Sequence, residues 1–270
     1  MTCKIKILPA IENRYIDPKI IKPIAKSNYN QFIKNVENLI NELNDLLNEN
    51  DGLYCVLYDN MCMIINHDLM TFENLSKENL NSILEKTIMF VYDYYSKIER
   101  EVTESEVEKL DSIFKFFEIS LKKYKVILDH NCGTVGKMRG ILMEALGVSL
   151  FGNKENFSEN FFIWDFNAFE KNKLIKYCER ETTDIYYEKN GKSYICEIKC
   201  RPKGVDESQV DFINHLNSRL DEVESVVVSN IILHGGTADD FNFEKISFRE
   251  KLANFTIYPK ENIDELLKKI

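Results

Sequence analysis

Asp184, Glu197 and Lys199 are the residues whose types and spacing suit them to chemistry, because the turn between them dictates that they meet. They stand in the stretch Thr183-Asp184-Ile185-Tyr186-Tyr187-Glu188-Lys189-Asn190-Gly191-Lys192-Ser193-Tyr194-Ile195-Cys196-Glu197-Ile198-Lys199. Apolar and aromatic runs flank Asn190-Gly191, and Asn-Gly between such runs is the signature of a two-residue type I′ hairpin turn. With that turn as the loop, Lys189 opposes Lys192, Tyr187 opposes Tyr194, Ile185 opposes Cys196 and Asp184 opposes Glu197. Two carboxylates then share one face of the sheet. Like charges directly opposed across strands are destabilising, and a divalent cation removes that cost. Mg²⁺ prefers oxygen ligands and takes one or two carboxylates together with water and substrate phosphate. The two-residue period of a strand sets Lys199 on the face of Glu197, an ammonium beside the acid pair.

Asp184, the hairpin and Glu197-Ile198-Lys199 together resemble the PD-(D/E)xK, or restriction-endonuclease-like, nuclease superfamily over the C-terminal half of the chain. The residue before the aspartate is Thr183 where the motif's name has proline, a position that varies in the family. The resemblance implies that Asp184 and Glu197 bind one or two Mg²⁺ (or Mn²⁺) ions and that the backbone carbonyl of Ile198 completes the shell. It also implies that Lys199 positions or activates the attacking water. The activity expected is phosphodiester hydrolysis, with DNA favoured because most of the superfamily acts on DNA. A non-catalytic relative that binds nucleic acid or protein, and a helical interaction protein with an incidental hairpin, are the alternatives.

Upstream, Gly136 to Leu146 reads as a helix ending at a Gly147 cap, with an apolar stripe of Met138, Ile141, Leu142 and Ala145 and with Glu144 at its margin. Glu144 is either a solvated surface acid or, as the resemblance implies, a further metal ligand from the first core helix. Downstream, Pro202 ends the strand and Asp206 or Ser208 caps a helix carrying Val210, Ile213, Leu216, Leu220 and Val223. Gln209 opens that helix, as an ordinary first-turn residue or as the glutamine that some superfamily members place on a phosphate or metal-bound water. Ser225 to Leu233 reads as a buried strand, Asn254 to Tyr258 as a second one, and Glu261 to Ile270 as a closing helix. The expected fold is α/β: an α-rich module over residues 1–130, then a mixed sheet flanked by helices over 131–270.

In the first module, Asn28 to Asn48, Leu75 to Ile98 and Glu104 to Tyr124 have helical apolar spacing, while Leu53 to Tyr58 and Met61 to Ile65 read as a hairpin around Asp59-Asn60. No nucleotide-binding glycine loop and no internal repeat is present. Seven scattered cysteines without a Cys-x-x-Cys pair read as reduced thiols. Cys196 and Cys200 bracket the motif but alternate to the face opposite the acids, which argues against an iron–sulfur cluster. Four unpaired histidines exclude a spaced zinc site.

No apolar run is long enough to span a bilayer, and Met1 to Ile7 lack the character of a signal peptide, so the expectation is a cytoplasmic protein with no membrane partner. Lys and Arg number 35 against 44 Asp and Glu, a net charge of −9, whereas free-standing DNA binders present a basic face. The excess is uneven: residues 131–204 carry a net +2 and the remainder −11. Lys137, Arg139, Lys192, Arg201 and Lys203 are candidate phosphate contacts in the locally basic part. A nuclease that binds DNA poorly alone calls for a protein partner that loads or restrains it, with residues 1–130 as the docking surface. By analogy, small nuclease subunits of bacterial antiviral defence have this layout.

Overall fold

Helical periodicity in the first half and strand-forming runs in the second give the chain two compact units, Tyr15–Asn153 and Met1–Arg14 with Lys154–Ile270. The computed structural model describes residues 5–10, 22–70, 77–98, 101–152, 161–244 and 246–270. The fold is α/β, with a mixed sheet and a helical N-terminal part.

The helical unit comprises α1 (Pro23–Glu49), α2 (Asp51–Asn66), α3 (Lys77–Ile98), α4 (Glu104–Asp129) and α5 (Val135–Phe151). Asn50 organises three of them. Its side chain accepts the Leu53 N–H at 3.0 Å to cap α2, donates to Glu106 at 2.7 Å and accepts from the Tyr94 hydroxyl at 3.3 Å. Glu106 in turn closes a capping box with Thr103 at the start of α4.

Two expectations fail here. The stretch from Leu53 to Ile65 is not a hairpin but helix α2, because Leu53, Tyr54, Leu57, Tyr58, Met61, Cys62 and Ile65 form one buried helical face and Asn50 supplies the cap. The helix through Glu144 does not end at Gly147. It continues to Phe151, since Val148, Ser149, Leu150 and Phe151 are all buried, and Gly152 at φ 148° takes the C-cap.

The second unit is built on a sheet of seven strands: β1 (Ile5–Pro9), β2 (Phe161–Glu170), β3 (Lys173–Leu174), β4 (Thr182–Lys189), β5 (Lys192–Lys199), β6 (Val228–His234) and β7 (Phe255–Pro259). The order is β1-β2-β4-β5-β6-β7, with β3 paired to β2. Neighbours from β1 to β5 run antiparallel, while β5, β6 and β7 are parallel. Parallel β5 and β6 require a crossover, and helix α6 (Glu207–Glu224) provides it. Phe212, Ile213, Leu216 and Leu220 of α6 pack on Ile163, Phe166, Tyr186 and Ile195 of the sheet. Val210 joins Val205, Ile232, Phe241 and Leu252 in a second apolar cluster. Two short helices, α7 (Ala238–Glu244) and α8 (Ile263–Leu267), complete the unit. The closing helix is therefore shorter than Glu261 to Ile270, being preceded by a 3₁₀ turn at Lys260–Asn262.

Strands β1 and β2 have no counterpart in the sequence expectations, and α5, placed with the sheet there, clusters with the helices.

Candidate active site

The hairpin forms in the expected register. Asn190 at φ 52° and Gly191 at φ 73° make the left-handed loop, Lys189 pairs with Lys192, Tyr187 with Tyr194 and Ile185 with Cys196. One rung beyond the last pair, at the mouth of the ladder, stand Asp184 and Glu197, 1% and 2% exposed.

Four donors from Lys199, Ile198, Thr183 and Gln209 reach the two acids. Lys199 Nζ donates to Glu197 Oε1 at 2.5 Å and lies 3.7 Å from Asp184 Oδ2. The backbone N–H of Ile198 donates to Asp184 Oδ2 at 2.7 Å. Thr183 Oγ1 donates to Glu197 Oε2 at 2.6 Å, and Gln209 Nε2 donates to Glu197 Oε1 at 2.5 Å. One ammonium thus faces two buried carboxylates.

Gln209 is held by the helix it opens. Asp206 caps α6 by accepting the Gln209 N–H at 2.9 Å, and the Gln209 side-chain oxygen accepts the Asp206 N–H at 3.3 Å. That capping box uses the carbonyl end of the amide and leaves its NH₂ for Glu197. Burial pushes the Asp206 carboxyl up, but the Ser208 hydroxyl, the Gln209 N–H and the Arg180 and Lys199 charges outweigh it and hold it below the ordinary carboxylate range.

Cys196 is fully buried on the opposite side of the strand, and burial, reinforced by the Asp184 and Glu197 charges, raises its thiol pKa well above the ordinary value. It is an inert apolar filler there. Among the described residues no group of three or more His, Cys, Asp or Glu side chains is arranged to hold a metal ion. An all-oxygen pair of carboxylates suits the partial ligation that Mg²⁺ accepts when water and phosphate supply the rest.

The other sequence candidates are distributed unevenly. Arg201 and Lys203 follow directly on the end of β5 that carries Lys199. Lys192 begins that strand, roughly 23 Å away at about 3.3 Å per residue, so it is not brought to the acids. Glu144, Lys137 and Arg139 belong to the helical unit. There Arg139 donates to Ile65 O and, at 3.2 Å, to Asn66 Oδ1, and Lys137 lies over the Tyr29 ring. These contacts tie α5 to α2 and α1.

Three buried polar residues nearby were given no role in the sequence reading. Thr183 stands one residue before the aspartate, with the hydroxyl contact already described. Asp165 on β2 occupies the rung between the pairs Trp164–Ile185 and Phe166–Thr183, opposite Asp184, with a left-handed φ of 56°. His234 ends β6 as the register partner of Lys199, stacked on Phe241 with ring centroids 5.4 Å apart. The signal for Asp165 was a lone acid in an aromatic run; for His234, it was a polar residue closing a β-branched one.

Comparison of the chain with protein-family models, with curated proteins and with solved structures finds no match.

Proposed function

We propose that this protein is a Mg²⁺-dependent nuclease of the PD-(D/E)xK type that hydrolyses phosphodiester bonds in DNA. The observation that carries the reading is the pair of buried acids on adjacent strands with the Lys199 ammonium between them. A structural ion pair has no use for a second carboxylate at that cost in desolvation, whereas a cation-binding pair needs it.

In this reading Asp184 and Glu197, with the Ile198 carbonyl, hold the ion. When bound, Mg²⁺ (or Mn²⁺) supplies Lewis-acid stabilisation of the scissile phosphate and lowers the pKa of water. Lys199 releases Glu197, orients the attacking water and supports the negative charge that develops on phosphate oxygens. Gln209 and Thr183 fix the Glu197 carboxylate so that it does not follow the lysine. Arg201 and Lys203, at the end of β5, contact the flanking phosphates.

The net charge of −9 supports dependence on a protein partner that loads or restrains the enzyme, and antiviral defence is the setting that analogy offers. Among the described residues no helix is long and apolar enough to cross a membrane, in keeping with action in the cytoplasm.

Incubation with linear, circular and single-stranded DNA in Mg²⁺ or Mn²⁺, beside Glu197→Ala, Lys199→Ala and an EDTA control, tests the proposal. Metal-dependent cutting lost in both variants supports it. Cutting that persists in either variant assigns the activity elsewhere, and absence of Mn²⁺ binding by calorimetry rejects the site.

A further inference from the structure

Helix α3 turns one face inward through Val91 and Tyr95, which are 7% and 5% exposed, and leaves Met89 at 70% and Phe90 at 42% on the opposite side, with Tyr92 at 70% and Ile88 at 39% along the margin of the inward face. A cluster of this kind on one helix exceeds the scattered apolar exposure of an ordinary surface and marks an interaction face. The charges around it say what kind. Lys86, Met89, Phe90, Asp93 and Lys97 fall at i, i+3, i+4, i+7 and i+11, one continuous stripe. Lys86 and Asp93 flank the Met89–Phe90 pair at equal distances, about 5 Å along the axis on either side of its midpoint.

We propose that α3 is the interface of a homodimer, in which two copies pack antiparallel about a two-fold axis passing between Met89 and Phe90. That operation sets Met89 against the second copy's Phe90 and Lys86 against its Asp93, twice, so the stripe is complementary to itself. Isologous contacts demand this self-complementarity. A parallel pairing sets Lys86 against Lys86, and a partner of one charge sign meets one half of the stripe with the wrong charge. Lys86 and Asp93 are open to this exchange: their side chains are 57% and 58% exposed and their present ion pairs, Lys86–Asp68 at 3.6 Å and Asp93–Lys97 at 2.6 Å, are surface contacts of small energetic value.

Sedimentation of the full chain over a range of concentrations tests the proposal independently of any nuclease activity. Wild type is expected to form a dimer in a concentration-dependent way. Met89→Asp is expected to abolish it, and Lys86→Glu to weaken it by about tenfold or more, the equivalent of 1.4 kcal/mol. The double variant Lys86→Glu with Asp93→Lys is expected to restore it, because the swapped charges again face each other. Circular dichroism keeps folding separate from assembly. A monomer at every concentration, a dimer indifferent to Met89→Asp, or a double variant no better than Lys86→Glu overturns the inference.

Discussion

Gln209 joins the two parts of the site that the chain makes separately: its Nε2 donates to Glu197 Oε1 over 2.5 Å while its Oε1 closes the capping box at the start of α6. The helix cap and the strand that carries Glu197 are thereby tied together by one amide. Replacing Gln209 by Met keeps the volume and removes both hydrogen bonds. Loss of the reciprocal cap bond costs about 0.5–1 kcal/mol, and an outer-shell partner of a metal ligand is typically worth 10–100-fold in metal affinity. Titration with Mn²⁺ by calorimetry is expected to show about that weakening. An unchanged affinity with a lowered melting temperature would reduce Gln209 to a helix cap.

Thr183 makes the companion contact. Its hydroxyl and the Glu197 carboxylate are both buried, so Thr183→Val strips a charged acceptor of a donor where water does not substitute freely, at a cost of about 1–3 kcal/mol. Thr183→Ser retains the donor. Urea unfolding midpoints should fall for the valine variant and stay near wild type for the serine variant, and Mn²⁺ affinity should follow the same order. Equal behaviour of the two variants removes the hydrogen bond from the account.

The hairpin was legible because its information is local: Asn190 and Gly191 both adopt left-handed φ, which few residue pairs tolerate, and the two-residue loop then fixes every rung back to Ile185–Cys196. The start of the helix at Asp206 or Ser208 was legible for the same reason, and the structure selects Asp206 as the cap. What sequence did not yield depends on partners distant in the chain. Strand β2 runs Phe161 to Glu170 without clean alternation, since successive residues, which point to opposite faces, are buried alike. The α2 segment carries short apolar runs on either side of Asp59-Asn60 that satisfy a strand pattern and a helix pattern alike, and burial of one helical face together with the Asn50 cap and its contacts with Glu106 and Tyr94 decides between them. Asp165 and His234 enter the neighbourhood of the acids through strand order, which no local spacing encodes.

His234 makes stability depend on pH. Burial lowers its pKa from 6.5 to about 4, with the Asp240 carboxylate pulling partly the other way. The unfolded chain takes up this proton near 6.5 and the folded chain only near 4, so the contribution is full above 6.5 and is lost as pH falls through that window, up to about 3 kcal/mol in all. His234→Gln does not titrate. Unfolding free energies measured from pH 7 to pH 4 should fall more steeply for wild type than for the variant, and parallel curves would show that His234 is protonated equally in both states.

At Gly191 a β-carbon would meet no atom within 4 Å, so Gly191→Ala isolates the backbone cost of φ 73°. About 1–2 kcal/mol is expected from forcing alanine into the left-handed region. Since the turn sets the register that brings Asp184 to Glu197, Mn²⁺ affinity at a temperature where the variant is folded should be little changed. A large loss of affinity there would mean that the register slips, which moves every side chain of β5 to the other face.

Lys199 separates holding the ion from using it. Its ammonium lies on Glu197 Oε1 and near Asp184 Oδ2, where, on the proposed reading, it competes for the ligands that a cation requires. Lys199→Met removes the competitor and the catalytic charge together while leaving the methylene stem to pack. Mn²⁺ should therefore bind at least as tightly as in wild type, whereas DNA cleavage should fall by about 10²-fold or more, in line with the loss of one preorganised donor at a developing charge. The opposite pattern, weakened binding with cleavage retained at saturating metal, assigns Lys199 to the architecture of the acid pair. Because binding and turnover are read separately, the lysine's part in the chemistry is distinguished from its part in the fold.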